Sequence, residues 1–201
     1  MIYAVTNRKL ASSMEKYYDN IDKCFKKNIE GIIIREKDLD YEELYCLSKK
    51  IKSLKKESNT KIIINSNLDI ARNLNLDGIQ LSYNEFIKNF KVKFNLNFSG
   101  ILGISVHSVE EALDAFNRGA DYIILGHIYE TKCKEGLKPR GVEILSELRK
   151  NTEGKVIAIG GISIHNIREV LNSGATSVAM MSEIMESENL ISYLDEISKI
   201  L

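Results

Sequence analysis

GISVHSVEEALDAFNRGADYIILGHIYET, residues 103–131, reads as the end of a strand, a capped amphipathic helix, a glycine stop and a second strand. Ser108-Val109-Glu110-Glu111 has the order of a helix N-terminus, where a hydroxyl accepts an orphan backbone N–H. Gly119 follows the helical stretch Ser108–Arg118, as a C-terminal stop requires. The run Tyr122–Gly126 is apolar without alternation, which suits a parallel strand covered on both faces. Working outward, the same alternation fills the chain. Short runs rich in Ile and Val predict strands at Ile2–Val5, Gly31–Ile34, Lys61–Asn65, Gly78–Leu81, Gly100–Ile104, Val156–Gly160 and Ser177–Met180. Between them, helical spacing predicts helices over Met14–Lys27, Tyr41–Leu54, Val142–Lys150, His165–Ser173 and Glu183–Ile200. Strands each followed by a helix, repeated to the end of the chain, predict a closed (β/α)8 TIM barrel, a single domain over residues 1–201. An open doubly wound sheet is the alternative. The absence of a Gly-x-Gly-x-x-Gly turn after the first strand speaks against it.

Composition narrows the function classes. The chain has 201 residues, 44% apolar, with 28 Lys plus Arg against 28 Asp plus Glu. Zero formal charge leaves no footprint for nucleic acid. Three cysteines, Cys24, Cys46 and Cys133, give no paired spacing for disulfides or metal. The opening residues MIYAVTNRKL hold no long apolar run, so no signal peptide or membrane anchor is expected and the cytoplasm is the expected location.

In barrels of this kind the chemistry sits on the C-terminal ends of the strands and the loops after them. Gly160-Gly161 follows the seventh predicted strand and precedes a helix. Paired glycines let backbone N–H groups approach an anion, and phosphate sites recur after strands seven and eight. Gly160, Gly161 and Ile162, with Met181 and Ser182 after the eighth strand, are therefore the candidate phosphate anchors. A plain tight turn is the competing explanation of the glycines. Arg35-Glu36-Lys37 ends the second strand, and such charges must reach solvent, a ligand or each other.

These residues resemble a known family. IIIREKDLDYEEL, GISVHSVEEALDAFNRGADYIILGHIYET, VIAIGGISIHNIREVL and TSVAMMSEI are similar, in order and over nearly the whole chain, to the thiamine phosphate synthase superfamily. Its two branches, the synthases and the TenI-like thiazole tautomerases, share this barrel and bind a thiazole phosphate. Where the synthase pattern has Asn-Asp after the third strand, the Asp helping to hold magnesium, this chain has Asn65-Ser66. A neutral hydroxyl is a poor replacement for a carboxylate at a hard cation. The synthases' Gly-Gln-x-Asp is replaced by Ser82-Tyr83-Asn84-Glu85, and their Gln-Leu-Arg-Glu-Lys by Ile33-Ile34-Arg35-Glu36-Lys37. Their Gly-Pro-Ile-Phe-Pro-Thr becomes Gly126-His127-Ile128-Tyr129-Glu130-Thr131, which carries the histidine of the tautomerase branch.

The resemblance thus implies a tautomerase with His127 as its acid/base, an imidazole being able to exchange protons near neutral pH. Lys134, with Arg35 and Lys37, is expected to balance the substrate carboxylate. Ser105 matches a pyrophosphate-contacting serine of the synthases. His107 has counterparts in both branches and reads as structural; His165 reads as exposed. The tautomerase chemistry requires no cofactor or metal. The expected partner is a thiazole phosphate carboxylate, with no nucleic acid and no membrane, and homodimerisation is a family expectation. Two alternatives stand beside this reading: a synthase joining a pyrimidine pyrophosphate to thiazole phosphate, and a non-catalytic thiazole phosphate binder.

Overall fold

The structure is a computed structural model that describes residues 1–131 and 136–200. Eight parallel strands follow one another in hydrogen-bonded order and the sheet closes as a barrel. They are β1 (Ile2–Val5), β2 (Gly31–Ile34), β3 (Lys61–Asn65), β4 (Gly78–Ser82), β5 (Ile101–Val106), β6 (Tyr122–Gly126), β7 (Lys155–Ile159) and β8 (Ser177–Met180). The connecting helices are α1 (Met14–Lys26), α2 (Tyr41–Leu54), α3 (Leu68–Asn73), α4 (Tyr83–Asn89), α5 (Val109–Asn117), α6 (Glu143–Asn151), α7 (Ile167–Asn172), α8 (Ser182–Met185) and α9 (Leu190–Ser198). The (β/α)8 expectation is met, and β1, β2, β3, β6 and β8 keep the expected bounds.

The chain forms two compact units, Met1–Ile79 with Met180–Leu201, and Gln80–Ala179. In the first, β2 and β3 pair with Ile32 opposite Ile62, Ile33 opposite Ile63 and Ile34 opposite Ile64. All six isoleucines are buried, which is why their runs lack polar alternation. In the second, β6 and β7 pair from Tyr122 opposite Lys155 to Gly126 opposite Ile159. Gly103 on β5 leaves the space that Gln80 and the Tyr122 ring fill; a Cβ there would lie 2.1 Å from each.

Strand entries repeat one device. Asp77, just before β4, accepts the Ile62 N–H at 2.8 Å, and Asp121, just before β6, accepts the Leu102 N–H at 2.7 Å. Each carboxylate satisfies a donor near the start of the neighbouring strand. The helices are capped by side chains, with Ser108 accepting the Glu111 N–H as its sequence predicts. Asp40 and Glu43 form a reciprocal capping box on α2.

One expected helix is two. The stretch Glu183–Ile200 breaks between Met185 and Leu190. The Asn20 amide, on α1, donates to the carbonyls of Ile184 and Met185 at 3.0 and 3.2 Å. Those carbonyls serve a tertiary partner at the point where a continuing helix would use them for its own N–H groups. Ser105, expected just past its strand, lies inside β5, where its hydroxyl accepts from Gln80 Nε2 at 2.9 Å. Among the described residues no helix is long and apolar enough to cross a membrane.

Candidate active site

His127 follows the last residue of β6 and has φ +65°, a left-handed backbone that non-glycine residues seldom adopt. Its neighbours pin it there. The His127 carbonyl accepts from Arg140 N–H at 2.9 Å, the Ile128 carbonyl from Gly141 N–H at 3.0 Å, and the Gly126 carbonyl from Arg140 Nε at 3.1 Å. The residue is 5% exposed. Its Nε2 lies 3.0 Å from the Leu137 carbonyl oxygen, while Nδ1 is buried and has no hydrogen-bond partner among the described residues.

The glycine turn after β7 packs against this segment. Gly160 has φ +113°, and a Cβ on it would meet the His127 backbone N and Cα at 2.9 Å. Gly161 has φ +64°, and a Cβ on it would lie 2.6 Å from the Glu130 carbonyl. Both conformations favour glycine, and both positions lack room for anything larger. The segment 127–129 is also hydrogen-bonded to the turn. Ile128 N–H donates to Ile159 O at 3.3 Å and Tyr129 N–H to Gly160 O at 3.0 Å. The Tyr129 hydroxyl donates to Glu169 on α7 at 2.7 Å. Burial and this carboxylate push the Tyr129 phenol up to about 12.

The glycines therefore admit the histidine segment, and the turn they form leaves backbone donors unused. Among the described residues neither the Gly161 nor the Ile162 N–H has an intramolecular acceptor. Asn166 holds this turn open, donating to Gly161 O at 2.8 Å and accepting from Ser163 N–H at 2.8 Å. Two adjacent unused N–H groups can receive an anion. Met181 and Ser182 belong to the other compact unit, where they open α8; the Met181 carbonyl takes the Met185 N–H at 2.9 Å.

Arg35 and Lys37 follow β2, Arg35 half-buried and Lys37 exposed, with the Arg35 N–H donating to Thr6 Oγ1 at 3.0 Å. Glu36 departs from the expectation that this triplet faces solvent, a ligand or itself. Its side chain is 1% exposed. It accepts from the Arg8 N–H at 3.0 and 3.1 Å and from the Tyr17 hydroxyl at 3.0 Å. Arg8 also makes a two-pronged contact with Asp38, at 2.7 and 2.8 Å. That pairing, with Lys9, holds the Asp38 carboxyl well below its ordinary range. Burial, followed by the nearby Glu36 charge, raises the Tyr17 phenol. Glu36 is thus the clasp that fastens the β1–α1 loop to the end of β2.

After β3, Asn65 Nδ2 donates to Ser66 Oγ at 2.6 Å, so this position offers a neutral amide and hydroxyl engaged with each other. That donor pair does not fit a hard divalent cation, which seeks carboxylate oxygen. His107 and His165 are both exposed, and the His107 N–H donates to Glu111 at 2.7 Å. Lys134 and Cys133 lie outside the described residues. Sequence reasoning missed Leu137, Tyr129 and Asn166. Of these only Asn166 left a trace, as an Asx-type residue three positions after Ser163 at a helix start.

Comparison with known proteins agrees with this architecture. The profile of a family described as thiamine monophosphate synthase matches residues 2–184. A thiamine-phosphate synthase of Dictyoglomus turgidum is 35% identical over 92% of this chain and 83% of its own length. A thiamine-phosphate synthase of Pyrococcus abyssi is 30% identical over 100% of this chain and 94% of its own. Among solved structures, a thiamine phosphate pyrophosphorylase from Pyrococcus furiosus superimposes with a TM-score of 0.81 at 28% identity, covering 99% of this chain and 94% of that one.

Proposed function

Because this chain belongs to the thiamine monophosphate synthase family, we propose that its barrel serves thiamine biosynthesis as a thiazole tautomerase. The substrate in this reading is the ylidene tautomer of a thiazole carboxylate phosphate. His127 removes the proton at C2 and a proton is returned to the exocyclic carbon, so the ring becomes aromatic with no change in composition. The backbone N–H groups of the Gly161–Ile162 turn hold the phosphate, and basic side chains balance the carboxylate.

The observation that carries this reading is the contact between His127 and Gly160. The backbone of a buried histidine, in an unusual conformation, packs against the turn whose N–H groups suit a phosphate. Functional sites are where such strain is kept. A histidine whose backbone packs on that turn brings onto one segment the two things the isomerisation needs: an anchor and a proton carrier that works near neutral pH.

A second reading is favoured by the names of the relatives, which are thiamine-phosphate synthases. In it, the barrel joins a pyrimidine pyrophosphate to thiazole phosphate and releases pyrophosphate. Ser66 weighs against it, since the family's magnesium-binding acid is replaced there by a hydroxyl. One experiment separates the two. The protein is incubated with the ylidene substrate without metal, and aromatisation is followed by absorbance. A parallel sample receives pyrimidine pyrophosphate, thiazole phosphate and magnesium. Metal-independent aromatisation without thiamine phosphate supports the tautomerase. Thiamine phosphate in the second sample overturns it in favour of the synthase, and turnover in neither sample leaves a binder of thiazole phosphate.

A further inference from the structure

We infer that the Leu137 backbone carbonyl locks His127 in its Nε2–H tautomer, which makes Nδ1 the nitrogen that exchanges the substrate proton. The inference rests on the tautomerase reading for the identity of the substrate, but the lock itself follows from hydrogen-bond chemistry. A carbonyl oxygen only accepts, so the 3.0 Å contact requires Nε2 to carry a hydrogen. A neutral imidazole has one N–H. Nδ1 is then a bare lone pair, and it is the ring atom left buried without a partner among the described residues. A buried acceptor without a partner costs free energy, and a bound substrate that gives it a proton removes that cost.

The surroundings hold this arrangement in place. The backbone that carries the ring is tied on either side, His127 O to Arg140 N–H, Ile128 O to Gly141 N–H and Ile128 N–H to Ile159 O, and the residue is buried. Leu137 is held from the same direction. Arg140 is fixed to Gly126 and His127, and Pro139, the only proline in the chain, stiffens the backbone between it and Leu137. Leu137 is 60% exposed, and its carbonyl is the group that meets the His127 ring. Leu137 is therefore a positioning residue. It keeps Nε2 occupied in both protonation states, so the proton gained at C2 and the proton given to the exocyclic carbon both pass through Nδ1.

The test is 15N NMR of the protein labelled at histidine, at a pH where the imidazoles are neutral, with His127→Asn used to assign the His127 signals. The expected spectrum places Nε2 at the protonated end of the nitrogen range and Nδ1 at the unprotonated end. Addition of the aromatic thiazole carboxylate phosphate is expected to shift Nδ1 while Nε2 keeps its hydrogen. The 13C signal of the Leu137 carbonyl should also move when His127 is replaced, through loss of the bond. An Nδ1–H tautomer, rapid exchange between tautomers, or a ligand shift confined to Nε2 would each overturn the inference. None of those results touches the aromatisation assay. Conversely, a locked Nε2–H form in a protein that does not aromatise the substrate would sink the tautomerase reading and with it the proton path, while the lock stands.

Discussion

Asparagine is the replacement to make at residue 127. Its short polar side chain tolerates the left-handed backbone that His127 occupies, so the variant tests the imidazole and not the fold. His127→Asn is expected to lower the single-turnover rate of aromatisation by at least ~10²-fold, the usual scale of acid–base catalysis, with thermal stability close to the parent's. Rapid mixing with the ylidene substrate checks this, and an unchanged rate removes the histidine from the chemistry. Gly161→Asp should abolish measurable binding of the product phosphate in calorimetry, since a carboxylate would repel the anion and φ +64° disfavours the new side chain. Equal affinity in that variant would move the phosphate site elsewhere. The sequence placed His127 at a strand end and the glycines at a turn. It could not show that Gly160 faces the histidine backbone, because the two are 33 positions apart and nothing local to either declares the contact.

At the scale of the element, the strand-entry carboxylates carry a definite load. Asp77→Ala and Asp121→Ala each leave a backbone N–H near a strand start without its acceptor, which should cost about 1–3 kcal/mol in urea unfolding. The Asn variants keep an acceptor oxygen and should lose much less. If Ala and Asn prove equal, the ion pairs to Lys55 and Lys93 dominate instead, against the small value expected of exposed pairs. The elements themselves were legible wherever a repeating local rule governs them. Burial on both faces writes unbroken isoleucine runs, and Ser108 announces a helix start. The break between α8 and α9 was not legible, because Asn20 lies 164 residues from the carbonyl it takes. Glu36 was misplaced for the same reason: its partners, Arg8 and Tyr17, lie two elements back along the chain.

For the whole molecule, the response to alkali follows from acids whose protons the fold holds. Burial pushes the Cys24 thiol from 9.0 up to about 12, and Tyr129 is likewise raised from 10.0 to about 12. Both groups hold their protons more tightly folded than unfolded. Their contribution is therefore fully present below pH 9 and is lost as the pH climbs from there toward 12. Thermal melts should fall steadily over that window, and Cys24→Ala should flatten the slope by at most about 1.4 kcal/mol per pH unit. A slope unaltered by that change would mean the thiol does not titrate with unfolding. The eight-repeat barrel was readable from the sequence because counting strand–helix pairs is a global property of local signals. The division into two compact units was not, since no linker or change of composition marks residues 79–80 or 179–180.

The fit of Gly160 against His127 has a consequence for anyone reshaping this protein. A library that randomises the turn after β7 also randomises the seat of His127, and most of its members would fail because that histidine no longer fits. Transplanting the histidine onto another barrel meets the same constraint in reverse. The graft that works has to bring both glycines along with it.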